Sequence, residues 1–122
     1  MFKILIVDDH RFFREVIKEC LKGEWPSMLL EEAEDSREAM EKVRRFHPDL
    51  IFMDLHLPDG SGLALTKKIK ADHPNTHVVV LTAFGTPEFE DRATECGALR
   101  FLSKDKVTKN DFRVLFNSLV SS

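Results

Sequence analysis

Two adjacent carboxylates, Asp8 and Asp9, directly follow the apolar stretch KILIV. A third carboxylate, Asp54, ends the stretch DLIFMD, and Thr82 ends the stretch HVVVLT. Lys104 comes shortly after the stretch ALRFL. Each residue alone has an ordinary explanation, since an aspartate after a strand often caps a helix and a loop lysine is usually solvated. Because all of them stand at or just after the end of an apolar stretch, we expect them to act together.

The chemistry of these residue types is specific. Clustered carboxylates repel one another unless a cation lies between them. Hard oxygen ligands suit Mg²⁺, which binds proteins through one or two carboxylates and keeps several waters. Beside such a metal, one carboxylate can act as a nucleophile toward a phosphoryl group, while an ammonium and a hydroxyl bind phosphoryl oxygens. The set therefore indicates metal-assisted phosphoryl transfer.

Five short apolar stretches have the length and composition of β-strands. They lie at residues 3–7, 28–34, 49–54, 77–82 and 98–102. The first, third and fourth are almost continuously apolar, which is typical of central parallel strands covered on both faces. The second alternates more and the fifth is short, so we expect these two at the edges of a sheet.

Segments with helical spacing alternate with the strands. The first carries an apolar face from Phe13 to Leu21, and the last carries an apolar stripe that favours a core face over a partner groove. The stripe consists of Phe112, Leu115, Phe116 and Leu119. The helix boundaries are predicted by capping residues and prolines, namely Gly23 with Pro26, Asp35 or Ser36, His47-Pro48, Ser61 or Gly62, His73-Pro74 and Thr86-Pro87.

Five strand–helix units predict one domain, residues 1–122, built as a doubly wound α/β sandwich around a parallel sheet. In such folds ligands bind beyond the carboxyl ends of the strands. Those ends are where the carboxylates, the threonine and the lysine stand. The predicted fold thus brings the candidate site residues to one edge.

The composition excludes several classes of function. The formal net charge is −3 without a basic block or stripe, so we expect no nucleic-acid surface in this segment. Cys20 and Cys96 form no metal motif and fall on apolar helix positions, which predicts buried free thiols. The N-terminal apolar stretch is too short to span a membrane and lacks the layout of a signal peptide. We therefore expect a cytoplasmic protein without membrane contact.

Four motifs resemble the receiver domain of two-component response regulators, namely VDDH, MDLHLPDGSGL, VVVLTA and GALRFLSKD. The resemblance runs from about residue 3 to residue 119. It implies a flavodoxin-like (βα)5 sandwich whose five-stranded parallel sheet has the order 2-1-3-4-5. VDDH, LPDGSG and the KD pair are also similar to receivers joined to helix-turn-helix output domains.

The resemblance implies a phosphoacceptor and a Mg²⁺ site. Asp54 matches the acceptor aspartate of the family. Asp9 matches the direct metal ligand, and Asp8 its neighbour that acts mainly through a bound water. Asp54 and the backbone carbonyl of His56 would complete the protein ligands. The turn after the acceptor is matched by Pro58, Gly60 and Gly62.

The resemblance also implies a clamp and a switch. Lys104 matches the lysine that contacts the phosphoryl group, Thr82 the switch hydroxyl, and Phe101 the aromatic residue whose rotamer changes with it. Two positions depart from the common pattern. Asp105 stands where a proline is common, and Phe101 stands where many members have a tyrosine, so this switch has no phenol hydroxyl.

The function implied is a phosphorylation-dependent signalling switch, with a histidine kinase or a phosphotransfer protein as donor and Mg²⁺ as cofactor. Output is expected through the surface of the fourth helix, fifth strand and fifth helix, toward a downstream partner or an output domain. Residues expected on that surface are Phe89, Leu99, Val107 and Arg113. The resemblance is also compatible with a homodimer formed through the fourth and fifth helices. The domain would assist its own phosphorylation and dephosphorylation without being a turnover enzyme.

Two other functions would use similar residues. A haloacid-dehalogenase-like phosphatase also uses Mg²⁺ and an aspartyl nucleophile, but its nucleophile normally ends the first strand in a D-x-D pattern. A receiver fold that serves as an interaction module without phosphorylation usually lacks an acidic, acceptor or lysine residue, and none is lost here. The sequence is compatible both with a stand-alone regulator and with a receiver taken from a longer one.

Overall fold

The chain folds around one parallel five-stranded sheet in a computed structural model that describes residues 1–24, 27–83 and 85–120. The strands of this sheet are β1 (Phe2–Val7), β2 (Met28–Ala33), β3 (Leu50–Met53), β4 (His77–Thr82) and β5 (Arg100–Ser103). Their order across the sheet is β2-β1-β3-β4-β5, and all four pairings are parallel. The predicted flavodoxin-like order 2-1-3-4-5 is therefore confirmed.

Five helices cover the two faces of the sheet. They are α1 (Arg11–Lys22), α2 (Ser36–Phe46), α3 (Gly62–Asp72), α4 (Pro87–Glu95) and α5 (Lys109–Val120). A feature that we did not predict is a small hairpin between β3 and α3, in which His56–Leu57 pairs antiparallel with Gly60–Ser61. No helix in the described part of the chain combines the length and apolar character needed to cross a membrane.

The burial of the strands follows their composition. Residues 4–7 of β1, all of β3 and residues 78–82 of β4 are buried, whereas β2 and β5 are mostly half-exposed edge strands. Successive side chains of β1 point to opposite faces of the sheet, because side chains alternate along a strand. Ile4 and Ile6 pack with α1 and α5, while Leu5 and Val7 pack with α2 and α3. A sheet covered on both faces explains the continuous apolar stretches.

Local capping chemistry begins three of the helices as predicted. The side chain of Asp35 accepts a hydrogen bond from the Glu38 amide, and Ser61 accepts one from Leu63. Thr86 caps α4, with Pro87 at the first helical position. These caps satisfy backbone amides that have no partner inside the helix, which sets the helix start.

The C-terminal end of α2 is unusual. His47 closes the helix with φ 52° and ψ 61°, which is a left-handed conformation, and its amide still donates to the Val43 carbonyl. The following Pro48 disfavours the right-handed helical region for His47, so the helix cannot continue. The predicted end at His47-Pro48 is confirmed. At the end of α1, Gly23 follows the helix as predicted, and Pro26 lies outside the described residues.

The two cysteines are free, as predicted, but each is only half-buried. Cys20 lies at the margin of the core between α1 and α5, and Cys96 follows α4. Burial raises the pKa of the Cys20 thiol, so this side chain behaves as a small apolar group near neutral pH.

Phe112 is a main support of the α5 side of the core. Its side chain is 1% exposed, and its ring centroid lies 5.6 Å from that of Phe52. We expect Phe112→Ala to lower the free energy of unfolding by about 3–5 kcal/mol, because it leaves a cavity. Phe12→Ala is the control, since Phe12 is 80% exposed. Urea unfolding followed by circular dichroism measures both, and equal stability of the two variants would contradict this packing.

Asp59 in the hairpin turn stabilises the start of α2. Its carboxylate accepts hydrogen bonds from the Ser36 hydroxyl at 2.6 Å, the Ser36 amide at 2.8 Å and the Arg37 amide at 3.1 Å. The bonds from Ser36 hold the pKa of Asp59 below its usual value. A depressed folded-state pKa stabilises the fold above the unfolded-state pKa, and this contribution disappears as the pH falls through the folded value.

We therefore expect Asp59→Asn to lower the melting temperature at pH 7 and to make a smaller difference as the pH falls below about 4. The measurement is thermal unfolding of both proteins across this range. A difference in melting temperature that stays constant down to pH 3 would show that the Asp59 charge is not what holds the helix start.

Candidate functional site

Two buried carboxylates lie side by side at the carboxyl edge of the sheet. Val7 pairs in register with Met53, so the next residues, Asp8 and Asp54, are level with each other. The Asp54 amide donates to the Val7 carbonyl at 3.0 Å and thereby continues the ladder. Asp8 is 2% exposed and Asp54 4% exposed. The parallel pairing of β1 and β3 thus forces two like charges together in a largely desolvated place.

Lys104 lies between these two carboxylates. Its Nζ is 2.5 Å from Oδ2 of Asp8 and 3.2 Å from Oδ2 of Asp54. The end of β4 positions the lysine, since the Lys104 amide donates to the Thr82 carbonyl at 2.9 Å. An ammonium shared by two buried carboxylates offsets their mutual repulsion.

The Lys104 ammonium also contacts the aromatic ring of Phe13. Nζ lies 4.6 Å from the centroid of the Phe13 ring, within the range of a cation–π contact. The neighbouring Phe12 is 80% exposed. We predicted Phe13 only as part of the apolar face of α1, so its contact with the candidate site is a finding of the structure.

His10 joins the acidic pair, which the sequence did not indicate. Its Nδ1 lies 3.2 Å from Oδ1 of Asp8 and 3.1 Å from Oδ1 of Asp9, and its amide donates to Asp8 at 2.9 Å. His10 also precedes α1 as its N-cap residue, although its side chain makes no capping bond. One ligand atom each from His10, Asp8, Asp9 and Asp54 lies within 4.8 Å of the others.

Arg14 anchors the backbone at the end of β1. It is 6% exposed, and it donates to the Asp8 carbonyl at 2.7 Å and to Glu32 at 2.8 Å. Burial acts to raise the pKa of Glu32, but hydrogen bonds from Arg14 and Lys18 hold it below its usual value. A signal for Arg14 was present, because it shares a buried stripe of α1 with Ile17 and Leu21. A charged residue on such a stripe needs buried partners.

The donor set fits a divalent cation. Asp8, Asp9 and Asp54 supply three carboxylates against the single Lys104 ammonium, which leaves two negative charges unbalanced among these groups. Carboxylate oxygens are hard ligands of the kind that Mg²⁺ and Ca²⁺ prefer, and the exposed Asp9 leaves room for waters. This chemistry agrees with the predicted Mg²⁺ site.

The loop after Asp54 is tightly closed. The Gly62 amide donates to the Leu55 carbonyl at 2.9 Å, and a Cβ at Gly62 would lie 2.1 Å from the Asp54 carbonyl oxygen. Only glycine allows this approach of two backbone segments. The His56 amide makes a long hydrogen bond of 3.4 Å to Oδ1 of Asp54. The His56 ring turns to Phe89 of α4, edge-on, with the centroids 5.9 Å apart.

The predicted switch residues lie next to this centre. Thr82 ends β4, is fully buried, and stands in register with Ser103 of β5. Phe101 is opposite Val80 and packs, half-buried, against the core under α4. Gly85 makes room for it, since a Cβ there would lie 2.8 Å from the Phe101 ring.

The expected output surface is less uniform than predicted. Leu99 is 37% exposed before β5. Phe89 is half-buried against the core under α4, and Val107 packs on the core between α1 and α5. Arg113 lies on α5, but its Nε is 3.4 Å from Glu24, beyond the end of α1. The exposed position of Arg113 on α5 agrees with the prediction, its part in output stays a prediction, and the contact with Glu24 is one that helical spacing alone did not reveal.

The sequence model of the response regulator receiver domain matches residues 4–114. The chemotaxis protein CheY of Halobacterium salinarum is 32% identical over 102 residues, which are 84% of this chain and 83% of CheY. The transcriptional regulatory protein YdfI of Bacillus subtilis is 34% identical over 115 residues, which are 94% of this chain and 54% of YdfI. The chain spans about half the length of this relative and of other curated response regulators that it matches.

A solved structure supports the same assignment at the level of the fold. The signal receiver domain of a DNA binding response regulator from Colwellia psychrerythraea superimposes with a TM-score of 0.93 at 22% identity, covering 100% of both chains. Together with the match over residues 4–114, these findings show that the chain belongs to the response regulator receiver domains of two-component systems.

Proposed function

We propose that this receiver domain is a switch that accepts a phosphoryl group on Asp54 from a histidine kinase or a phosphotransfer protein. The observation that carries the proposal is the Lys104 ammonium held between buried Asp8 and Asp54 at the carboxyl edge of the sheet. This arrangement combines a nucleophile with a positive group at the place where negative charge arrives. Membership of the receiver family supports the same reaction.

In the proposed transfer, an Asp54 oxygen forms the new O–P bond. The P–N bond of a phosphohistidine on the donor breaks, and its electron pair stays on the imidazole. Asp54 attacks as the carboxylate, so this step needs no general base. The Gly62 contact and the ladder bond to Val7 hold the Asp54 backbone, so the nucleophile is oriented before the donor arrives.

Asp8, Asp9 and Asp54 would hold Mg²⁺, with the His56 carbonyl as the further predicted ligand. When bound, the ion supplies positive charge that offsets the charge of the phosphoryl oxygens. Lys104 is then free to exchange its Asp8 contact for a phosphoryl oxygen, because the same ammonium already touches Asp54. His10 orients the exposed Asp9 through its Nδ1 contact.

The switch step rests on Thr82 and Phe101. We infer that the Thr82 hydroxyl donates to a phosphoryl oxygen and that the Phe101 ring moves inward with it. Gly85 accommodates the ring in its present position, from which this movement would start. The His56–Phe89 ring contact links the loop after Asp54 to α4. A change at Asp54 would therefore reach the output surface through this contact as well as through Phe101. Both states exist beforehand, and phosphorylation shifts their populations by its differential contacts.

The proposed output is through α4, β5 and α5, to a downstream partner or an output domain. Relatives about twice as long include regulators named as transcriptional, so an output domain that binds DNA is a candidate for the second case. A homodimer through α4 and α5 is a further proposal for the phosphorylated state. On this proposal the domain itself contacts no nucleic acid and turns over no external substrate.

The decisive experiment is intact-mass spectrometry after incubation with acetyl phosphate, with and without Mg²⁺. We expect one phosphoryl group to be gained only with Mg²⁺, to be lost in Asp54→Ala and to be kept in Asp72→Ala. Asp72 is an exposed carboxylate at the end of α3 and serves as the matched control. No adduct, together with an amide spectrum unchanged by beryllofluoride, would favour an interaction module without phosphorylation.

The Phe13 ring should position Lys104 for the transfer. We expect Phe13→Leu to slow phosphorylation by acetyl phosphate about three- to tenfold, since a partly desolvated cation–π contact contributes about 1 kcal/mol. Phe12→Leu removes an aromatic ring from the adjacent, exposed position and should leave the rate unchanged. The readout is the rate of phosphorylation in single turnovers.

A double-mutant cycle separates positioning from general packing. In a Lys104→Ala background, Phe13→Leu should have no further effect on the rate, because the contact is already gone. A loss of the same size in both backgrounds would mean that Phe13 acts through the packing of α1 rather than through the ammonium.

A further inference from the structure

An open groove of about 480 Å³ runs between α2 and α3, with the hairpin after β3 as one wall. It lies apart from the elements to which output is assigned, since α4, β5 and α5 contribute none of its lining. One wall presents Arg37, Met40 and Arg44 of α2, and the other presents Leu65 and Lys68 of α3. The spacing of these residues places each set on one face of its helix.

The charge of the groove differs from that of the rest of the chain. Arg37, Arg44 and Lys68 are exposed, and none makes an ion pair within the described residues. Arg45, on a neighbouring position of α2, pairs with Glu31 at 3.2 Å, so free cations are not a general property of this helix. The whole chain carries a net charge of −3, which makes an unpaired cationic groove a local exception.

The one acidic lining residue is already engaged. Asp59 directs its carboxylate to the start of α2, where it accepts the bonds from Ser36 and Arg37. Its negative charge therefore does little to neutralise Arg44 and Lys68 further along the groove. The floor between them is apolar, with Met40 9% and Leu65 6% exposed.

The spacing of the cations indicates the shape of the ligand. Arg37 and Arg44 stand seven residues apart, which corresponds to about 10 Å along a helix axis. Three residues of a peptide in the extended polyproline II conformation cover about 9 Å and bring the side chain back to the same face. Two acidic side chains at that separation would meet the arginines, and an apolar side chain between them would lie on Met40 and Leu65.

We propose that this groove is a docking site for an acidic, extended segment of a partner protein, with an apolar residue between its carboxylates. The site does not depend on phosphoryl transfer, so it goes beyond the proposed function. The hairpin wall belongs to the loop that runs from Asp54 to Gly62. A partner bound in the groove would therefore lie beside the acceptor loop while α4, β5 and α5 serve another contact.

The test uses the full chain and a fluorescein-labelled peptide, Gly-Glu-Leu-Leu-Glu-Gly. We expect saturable binding by fluorescence anisotropy, with amide shifts in the nuclear magnetic resonance spectrum centred on Arg37, Gly60 and Lys68. The variant Arg44→Glu/Lys68→Glu should weaken binding at least about tenfold, because two attractions become repulsions. The control Arg92→Glu/Lys106→Glu makes the same change of charge at exposed positions of α4 and the loop after β5, and should change the affinity less than about twofold.

Four results would overturn the proposal. They are an equal loss in both variants, a lysine-containing peptide that binds as well as the glutamate peptide, a single-stranded oligonucleotide that binds more tightly, and a dimer that the groove variant abolishes. The first would reduce the effect to net charge, and the second would show that the acidic side chains of the peptide are not recognised. The third would favour nucleic acid as the ligand, and the last a second copy of this chain. Dispersed amide spectra for both variants confirm that each is folded.

Discussion

The crowding of like charges at one edge of a parallel sheet is the constraint on which the rest of this structure depends. Register brings Asp8 and Asp54 level in a desolvated place, and a fold with unopposed charges there would not be stable. Lys104 offsets these charges, and Arg14 and Gly62 hold the backbone around them. Lys104 lies between the carboxylates, Arg14 binds the Asp8 carbonyl, and the missing side chain of Gly62 lets the loop close over Asp54. These three residues come from the loop after β5, from α1 and from the start of α3, so distant parts of the chain are needed to hold one centre.

Charge is distributed unevenly around this centre. The carboxylate edge has a surplus of negative charge, while the neighbouring groove between α2 and α3 has free cations. The hairpin after β3 separates the two regions and is bonded to α2 through Asp59. Long-range fields of opposite sign orient approaching proteins before contact is made. An acidic partner would thus be attracted to the groove and repelled from the carboxylate edge.

Local chemistry made much of the fold predictable. Continuous apolar stretches identified β1, β3 and β4 as central, and Asp35, Ser61 and Thr86 marked helix starts, because both signals act over a few residues. The participation of His10, Arg14 and Phe13 was missed, and so was the pairing of Arg113 with Glu24. Most of these depend on partners distant in the chain, and the orientation of the His10 ring depends on the turn after β1. The motifs named the reacting groups, but not the side chains that position them.

The position of β1 in the sheet has a consequence for how the domain assembles. β1 pairs with β2 and with β3, so three of the five strands and the helices between them are complete once the chain has passed Met53. β4 and β5 then add to one open side, each beside the strand before it. The paired residues stand 21 to 46 positions apart in the chain, so each pairing closes a long loop before its contacts form, which slows folding. During vectorial synthesis one face of β1 and β3 therefore stays partly uncovered until the last helix is made, because α5 supplies Phe112 and Leu115 to that side of the core.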